Sequence, residues 1–299
     1  MGKYAINEEF LQDIETLEMI IKNNVAGLFG GMHQSKSFGS SCEFADYRNY
    51  LPGDDISKID WNQYARSENL YLKQYLDERR LNTKIYIDAS RSMELNTKKA
   101  DKSLQIAAAF AYISLACMDK VSIYYIQNDI VYEVVVNMVG KDQFYTSINK
   151  INDIVFDGSF RFSEAIRNAN VGYGDGLSVI VSDFLTEDNF KDGIDYLVSK
   201  KRDVLCMQVL SNEELNPVVR GKVHFFDSEN VNDFYRKNIN KDVMSAYRKA
   251  VKFIQDDLES FCLSRGAKYI MVAEDVKMND LFISMLPSKE VLKWHLFIL

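Results

Sequence analysis

The sequence predicts an α/β fold built on a doubly wound, mostly parallel β-sheet, with one antiparallel edge strand and an N-terminal helical and irregular extension. From Lys84 onward, short apolar runs alternate with segments of helical periodicity. This alternation is typical of parallel strands that are covered by helices on both faces. An Asn128-Asp129 turn between two apolar runs predicts a hairpin, and hence one antiparallel strand.

The first 80 residues differ from the rest of the chain. Residues 8–25 have apolar side chains at steps of three and four and predict an amphipathic helix, which ends in a glycine-containing stretch. Residues 33–41 are small and polar and are interpreted as a loop. Residues 43–66 interleave aromatic and charged side chains and show neither helical nor strand periodicity.

The predicted elements of the main domain follow in order along the chain. Strands are predicted at residues 85–87, 121–126, 130–136, 177–181, 204–210, 223–226 and 268–272. Helices are predicted at residues 100–118, 141–154, 163–168, 189–199 and 242–263. We therefore expect an N-terminal segment at 1–80, the α/β domain at 81–275 and a tail at 276–299, which could dock on the domain or on another chain.

Composition and charge exclude several classes of protein. The net charge is −7 and the basic clusters are short, so nucleic-acid binding is not expected. No apolar run is long enough to span a membrane, and the N-terminus lacks the pattern of a signal peptide. Four widely spaced cysteines suit a reducing compartment, so we expect a cytoplasmic protein without direct membrane insertion.

Polar side chains that follow two predicted strands form the candidate site. Asp88, Ser90 and Ser92 come directly after one strand, and Asp183 comes after another. In a doubly wound sheet, ligands bind beyond the carboxyl ends of the strands, where these side chains would converge. Carboxylate and hydroxyl oxygens suit Mg²⁺ or Mn²⁺. The alternative is that Asp and Ser here merely cap helices, which is common at such turns.

A second pattern lies upstream and consists of aromatic, acidic and basic residues around a Pro-Gly turn. Its members are Tyr47, Arg48, Tyr50, Gly53, Asp54, Asp55, Asp60, Trp61 and Arg66. Together with the two Asp-containing loops, this pattern resembles the bacterial "domain of unknown function 58" family, whose fold is similar to the von Willebrand factor A domain. The resemblance covers residues 30–273. We interpret these nine residues as structural.

The resemblance implies a function that the composition does not show. Proteins of this family accompany MoxR-type AAA+ ATPases and are regarded as non-catalytic adaptors in the assembly or maturation of protein complexes. The implied partner is therefore such an ATPase or its client. The implied site is a metal-ion-dependent adhesion site made by Asp88, Ser90, Ser92 and Asp183, with Mg²⁺ or Mn²⁺ bridging to the partner.

The sequence departs from the complete adhesion site at one position. That site uses a Thr in a Gly-x-Thr loop, and here Phe160 stands at the Thr position. Ser159 or Ser163 could supply a hydroxyl, although neither is in register. Metal binding could therefore persist, run through water or be lost.

The main alternative is a metal-dependent phosphoester hydrolase that uses Asp88 and Asp183. Ser90 stands where a haloacid dehalogenase-type enzyme requires a second Asp, and no GxSxG motif occurs. None of the histidines has a convincing catalytic partner: His33, His224 and His295. We therefore expect a non-catalytic protein without an organic cofactor.

Overall fold

The computed structural model describes residues 5–28, 38–76, 81–174, 176–186, 189–219, 221–226 and 234–288. The strands are β1 (Phe38–Asn49), β2 (Tyr71–Leu76), β3 (Asn82–Asp88), β4 (Lys120–Gln127), β5 (Ile130–Met138), β6 (Leu177–Ser182), β7 (Asp203–Leu210), β8 (Gly221–Phe226), β9 (Phe234–Ile239) and β10 (Lys268–Ala273).

The helices include one 3₁₀ turn at Ile56–Lys58 and one π-helical turn at Leu281–Met285. The α-helices are α1 (Glu8–Leu28), α2 (Trp61–Ser67), α3 (Arg91–Glu94), α4 (Thr97–Ala116), α5 (Lys141–Asn152), α6 (Phe162–Asn168), α7 (Phe190–Ser199), α8 (Asn212–Leu215), α9 (Lys241–Ser264), α10 (Met278–Asp280) and α11 (Leu286–Ser288).

Six strands form the main sheet in the order β10-β7-β6-β3-β4-β5. Five of them are parallel, and β5 pairs antiparallel with β4 at the edge. This arrangement confirms the predicted fold class of a doubly wound, mostly parallel sheet with one antiparallel edge strand. The turn at Asn128 is the predicted hairpin, and Asn128 has the positive φ of 54° that such a tight turn requires.

Helices cover both faces of the sheet, as its strand composition requires. On β3, Ile85 and Ile87 pack into one hydrophobic cluster, whereas Tyr86 packs into the other. Helix α4 lies on the first face against β3, β4, β6 and β7, and α6, α7 and α9 lie on the second. The central position of α4 buries even polar side chains of its first turns, including Lys99 and Ser103.

Two predictions about irregular regions need correction. Residues Phe38–Ser41 belong to β1, which pairs antiparallel with β2, so the predicted loop is wrong there; residues 33–37 lie outside the described residues. Strands β2 and β9 were not predicted; β2 pairs with β1, and β9 pairs with β8 in a separate two-stranded sheet. These strands exist because of a partner strand later or earlier in the chain, which local composition does not reveal.

Both the first and the last described segments of the chain contribute to the main hydrophobic cluster. In α1, Ile14 and Leu17 are fully buried. Glu18 of the same helix accepts a hydrogen bond from the ammonium group of Lys141 in α5. Near the C-terminus, the ring of Phe282 packs against Phe110 of α4 with centroids 4.9 Å apart. Trp294 and Phe297 lie outside the described residues.

Replacing Phe282 by Ala should lower the free energy of unfolding by about 3–5 kcal/mol, because the change leaves a cavity beside α4. Phe253 of α9 is 71% exposed and provides a matched control, for which Phe253→Ala should change stability by about 0.5 kcal/mol or less. Urea unfolding followed by circular dichroism measures both. Equal losses of unfolding free energy in the two variants would show that the π-helical turn at Leu281–Met285 is not part of the core.

Candidate functional site

The candidate site lies where two neighbouring parallel strands end. Strand β3 ends at Asp88, and β6 ends at Ser182, which is followed by Asp183. The two strands pair in register, with Ile87 opposite Val181. The carboxylates of residues 88 and 183 are therefore brought to the same edge of the sheet. We call Asp88, Ser90, Ser92 and Asp183 the carboxyl-edge site.

Asp88 joins the two loops that leave these strands. Its side chain is 1% exposed. Its Oδ1 accepts a hydrogen bond from the backbone N–H of Ser90 at 2.9 Å, and its Oδ2 accepts one from the hydroxyl of Ser182 at 2.5 Å. The Ser182 oxygen in turn accepts from the N–H of Phe184, whose φ of 52° lies in the left-handed region. Each carboxylate oxygen thus accepts a hydrogen bond from the protein itself.

The serines extend this network to Asp183. The hydroxyl oxygens of Ser90 and Ser92 lie 3.1 Å apart, and Ser92 donates to Oδ2 of Asp183 at 2.9 Å. The other carboxylate oxygen of Asp183 accepts from the backbone N–H of Leu185 at 2.9 Å. The four residues predicted from the sequence therefore form one connected hydrogen-bonded chain.

Two further residues, which the sequence analysis missed, complete the cluster. The Lys99 ammonium group donates to Oδ2 of Asp183 at 2.9 Å and to Oε1 of Glu214 at 2.7 Å, and its side chain is 1% exposed. Glu214 is fixed in turn, because its Oε2 accepts from the N–H of Ser211 in the capping box of α8. A signal for Lys99 was available, since helical spacing puts it on the same buried face as Ser103.

Burial dominates the electrostatics of the cluster. It raises the pKa of Asp88 to about 7, and the charge of Asp183 adds to this effect, while hydrogen bonds from Ser182 and Ser90 partly oppose it. For Lys99, burial acts to lower the pKa, but the charges of Asp183 and Glu214 outweigh it and raise the pKa above its usual value. Lys99 is therefore a cation at neutral pH.

These contacts do not fit a divalent metal ion. Oδ2 of Asp183 already accepts hydrogen bonds from the Ser92 hydroxyl and from the Lys99 ammonium group. A divalent ion bound to the same oxygen would lie next to that ammonium group, and the two positive charges would repel each other. Among the residues that the structure describes, no group of three or more His, Cys, Asp or Glu side chains lies close enough to hold a metal ion. Binding of Mg²⁺ or Mn²⁺ stays a prediction, and no step of the proposed function uses it.

The structure directs the two candidate serines elsewhere. The Ser159 hydroxyl lies 3.3 Å from Oδ1 of Asn128, and the Ser163 hydroxyl donates to the backbone carbonyl of Asn189 at 2.5 Å. Phe160, at the position of the usual Thr, is buried and stacks on Phe162 with centroids 5.8 Å apart. The loop that contains Phe160 thus contributes packing. Its backbone also contacts the site, because the Gly158 carbonyl accepts a hydrogen bond from the N–H of Arg91.

The upstream pattern forms its own group of local contacts. The guanidinium of Arg48 makes two 2.7 Å hydrogen bonds with the carboxylate of Asp54. Asp55 accepts from the N–H of Ser57 at the start of the 3₁₀ turn. Asp60 caps α2 and also accepts from the Tyr47 hydroxyl at 2.7 Å.

The remaining members of the pattern are less enclosed. Trp61 is 57% exposed and meets the ring of Tyr64 edge-on, and Arg66 is exposed as well. Tyr50 donates its backbone N–H to the Leu70 carbonyl, and Gly53 has a φ of 107°, which other residues rarely adopt.

A family model described as "Protein of unknown function DUF58" matches residues 46–256. Uncharacterised proteins of Mycobacterium tuberculosis and Mycobacterium bovis are 25% identical over 225 residues, which cover 72% of this chain and 70% of theirs.

Two solved structures are also similar. BatB from Bacteroides thetaiotaomicron is 14% identical with a TM-score of 0.41, covering 70% of this chain and 98% of its own. The SpRpn10 VWA domain is 9% identical with a TM-score of 0.39, covering 70% and 96%.

Within the described ranges, no helix has both the length and the apolar character that crossing a bilayer requires.

The raised pKa of Asp88 predicts a specific pH dependence of stability. The folded state holds a proton on Asp88 up to about pH 7, whereas the ordinary pKa of an aspartate is 3.8. The contribution of Asp88 to the unfolding free energy therefore falls as the pH rises from 3.8 to about 7. The Asp88→Asn variant lacks the titration. Its unfolding free energy relative to the wild type should therefore rise by roughly 2 kcal/mol between pH 5 and pH 8.

Urea unfolding at both pH values tests this expectation. Asp129→Asn serves as the control, because Asp129 is exposed in the hairpin turn and its replacement should leave the wild-type profile unchanged. Parallel pH profiles for Asp88→Asn and the wild type would contradict the assignment.

Proposed function

This chain belongs to the family described as "Protein of unknown function DUF58", and on that premise we propose that it is a non-catalytic adaptor that binds a partner protein at the carboxyl edge of its main sheet. The observation that carries the proposal is a closed polar network at the same edge of the sheet as three exposed aliphatic side chains. Leu95, Val155 and Leu185 are 72%, 70% and 37% exposed.

These three side chains lie on loops that contact the carboxyl-edge site. Leu95 follows α3, which begins just after Ser90. The Val155 carbonyl accepts from the Gln127 side chain at the end of β4, and the Leu185 N–H donates to Asp183. Single exposed aliphatic residues are common, but several at one edge are typical of a protein interface. We call Leu95, Val155 and Leu185 the aliphatic rim.

The closed network favours an adaptor over a hydrolase. A nucleophilic or metal-binding carboxylate needs an open position for the substrate or a water molecule. Both oxygens of Asp88 and both oxygens of Asp183 accept hydrogen bonds from the protein, and the two residues are 1% and 2% exposed. A phosphoester would have to displace these bonds before it could reach either group.

The proposed partner is a MoxR-type AAA+ ATPase or its client, as the family resemblance implies. Because the carboxyl-edge site does not fit a dication, the proposed contact runs through the aliphatic rim and not through a bridging metal ion. The proposed compartment is the cytoplasm. The free, buried thiols of Cys206 and Cys262 support that assignment, since a reducing environment preserves them.

Replacing Leu95 by Glu should weaken binding to the MoxR-type ATPase by about tenfold or more, because a charge would be buried at the interface. Leu263→Glu is the matched control. Leu263 is 64% exposed and lies near the end of α9, before β10 begins, and thus at the opposite edge of the sheet. Biolayer interferometry with the ATPase from the same genome measures both. Equal affinity of the two variants would exclude the aliphatic rim as the contact.

The hydrolase alternative has a direct test. The purified protein, incubated with Mg²⁺ or Mn²⁺ and a panel of generic phosphoesters, should release no phosphate above the level of Asp88→Asn. Turnover in the wild type that disappears in Asp88→Asn would favour the enzyme and contradict the adaptor proposal.

A further inference from the structure

We infer that the ammonium group of Lys99 is the resident cation of the carboxyl-edge site, so that the site is closed without a metal ion. The inference concerns the site's own chemistry and does not depend on which partner binds. It rests on the position of Lys99, on the acids that surround it and on the contrast with a second buried lysine of the same helix.

The ammonium group lies inside the hydrogen-bonded network and not beside it. Oδ2 of Asp183 receives Lys99 and Ser92, each at 2.9 Å, and Ser92 continues to Ser90. A divalent ion bound by the two serines and by this oxygen of Asp183 would share the oxygen with Lys99. Two cations at such a distance, shielded from solvent, repel strongly.

Lys99 also connects three loops at one edge of the sheet. It contacts Asp183, which follows β6, and Glu214, which lies in α8 after β7. Through Asp183 it reaches Ser92 in the loop after β3. A metal ion in an adhesion site would hold loops together in the same way, by drawing oxygen ligands from several of them.

Lys102 shows that a buried lysine on α4 does not by itself form such a site. It lies three residues further along the helix and is 8% exposed. Its ammonium group donates to the backbone carbonyl of Val276 at 2.7 Å. Both lysines are buried, at 1% and 8% exposure, but only Lys99 has two hydrogen-bonded carboxylates, and this makes Lys102 a matched control.

The wild-type protein provides the first test. Titration with Mn²⁺, followed by calorimetry and by the electron paramagnetic resonance signal of free Mn²⁺, should reveal no saturable binding at millimolar concentration. Saturable binding of one Mn²⁺ ion per chain at this concentration would overturn the inference. This measurement needs no destabilised variant and therefore decides the question even where a lysine substitution prevents folding.

Lys99→Met and Lys102→Met provide the second test. Lys99→Met leaves Asp183 and Glu214 without their cation, so its melting temperature should fall and should then recover in part when Mn²⁺ or Mg²⁺ is added. Lys102→Met should also melt earlier than the wild type, but without a response to either ion. A Lys99→Met protein that ignores both ions, or a Lys102→Met protein that responds equally, would overturn the inference.

Discussion

The site is built around two carboxylates that must be buried side by side at the edge of a parallel sheet. Asp88 and Asp183 end or follow adjacent strands, so their charges cannot be separated without disrupting the register. The protein resolves the conflict differently for each. Asp88 is supported by hydrogen bonds and has a raised pKa, whereas Asp183 is neutralised by Lys99. Every other contact of the site follows from these two solutions.

The closed network is the reason that we propose recognition and not catalysis at this edge. Its polar atoms hold the loops after β3, β6 and β7 in one arrangement, with Lys99 and Glu214 between them. A rigid set of loops can present the exposed side chains of Leu95 and Val155 at fixed positions. Preorganisation of this kind reduces the entropy that binding a partner protein would otherwise cost.

Helix α4 links the site to the rest of the molecule. Its first turns carry Lys99 into the site, and its middle section carries Phe110 against Phe282 of the C-terminal turn. Helix α1 packs into the same cluster. The segments at the two ends of the chain therefore cover the helix that supplies the cation, so the stability of the site depends on residues far from it in sequence.

The sequence by itself determined the alternation of strands and helices, the hairpin at Asn128 and the convergence of Asp88 with Asp183. Hydrophobic periodicity and the position of a residue at a strand end are local properties, and they suffice for these features. Only the tertiary structure decided that Phe38–Ser41 form a strand, that the hydroxyls of Ser159 and Ser163 bond elsewhere, and that Lys99 and Glu214 enter the site. Each of these outcomes depends on a partner distant in the chain, and a buried charge becomes favourable only when that partner is in place.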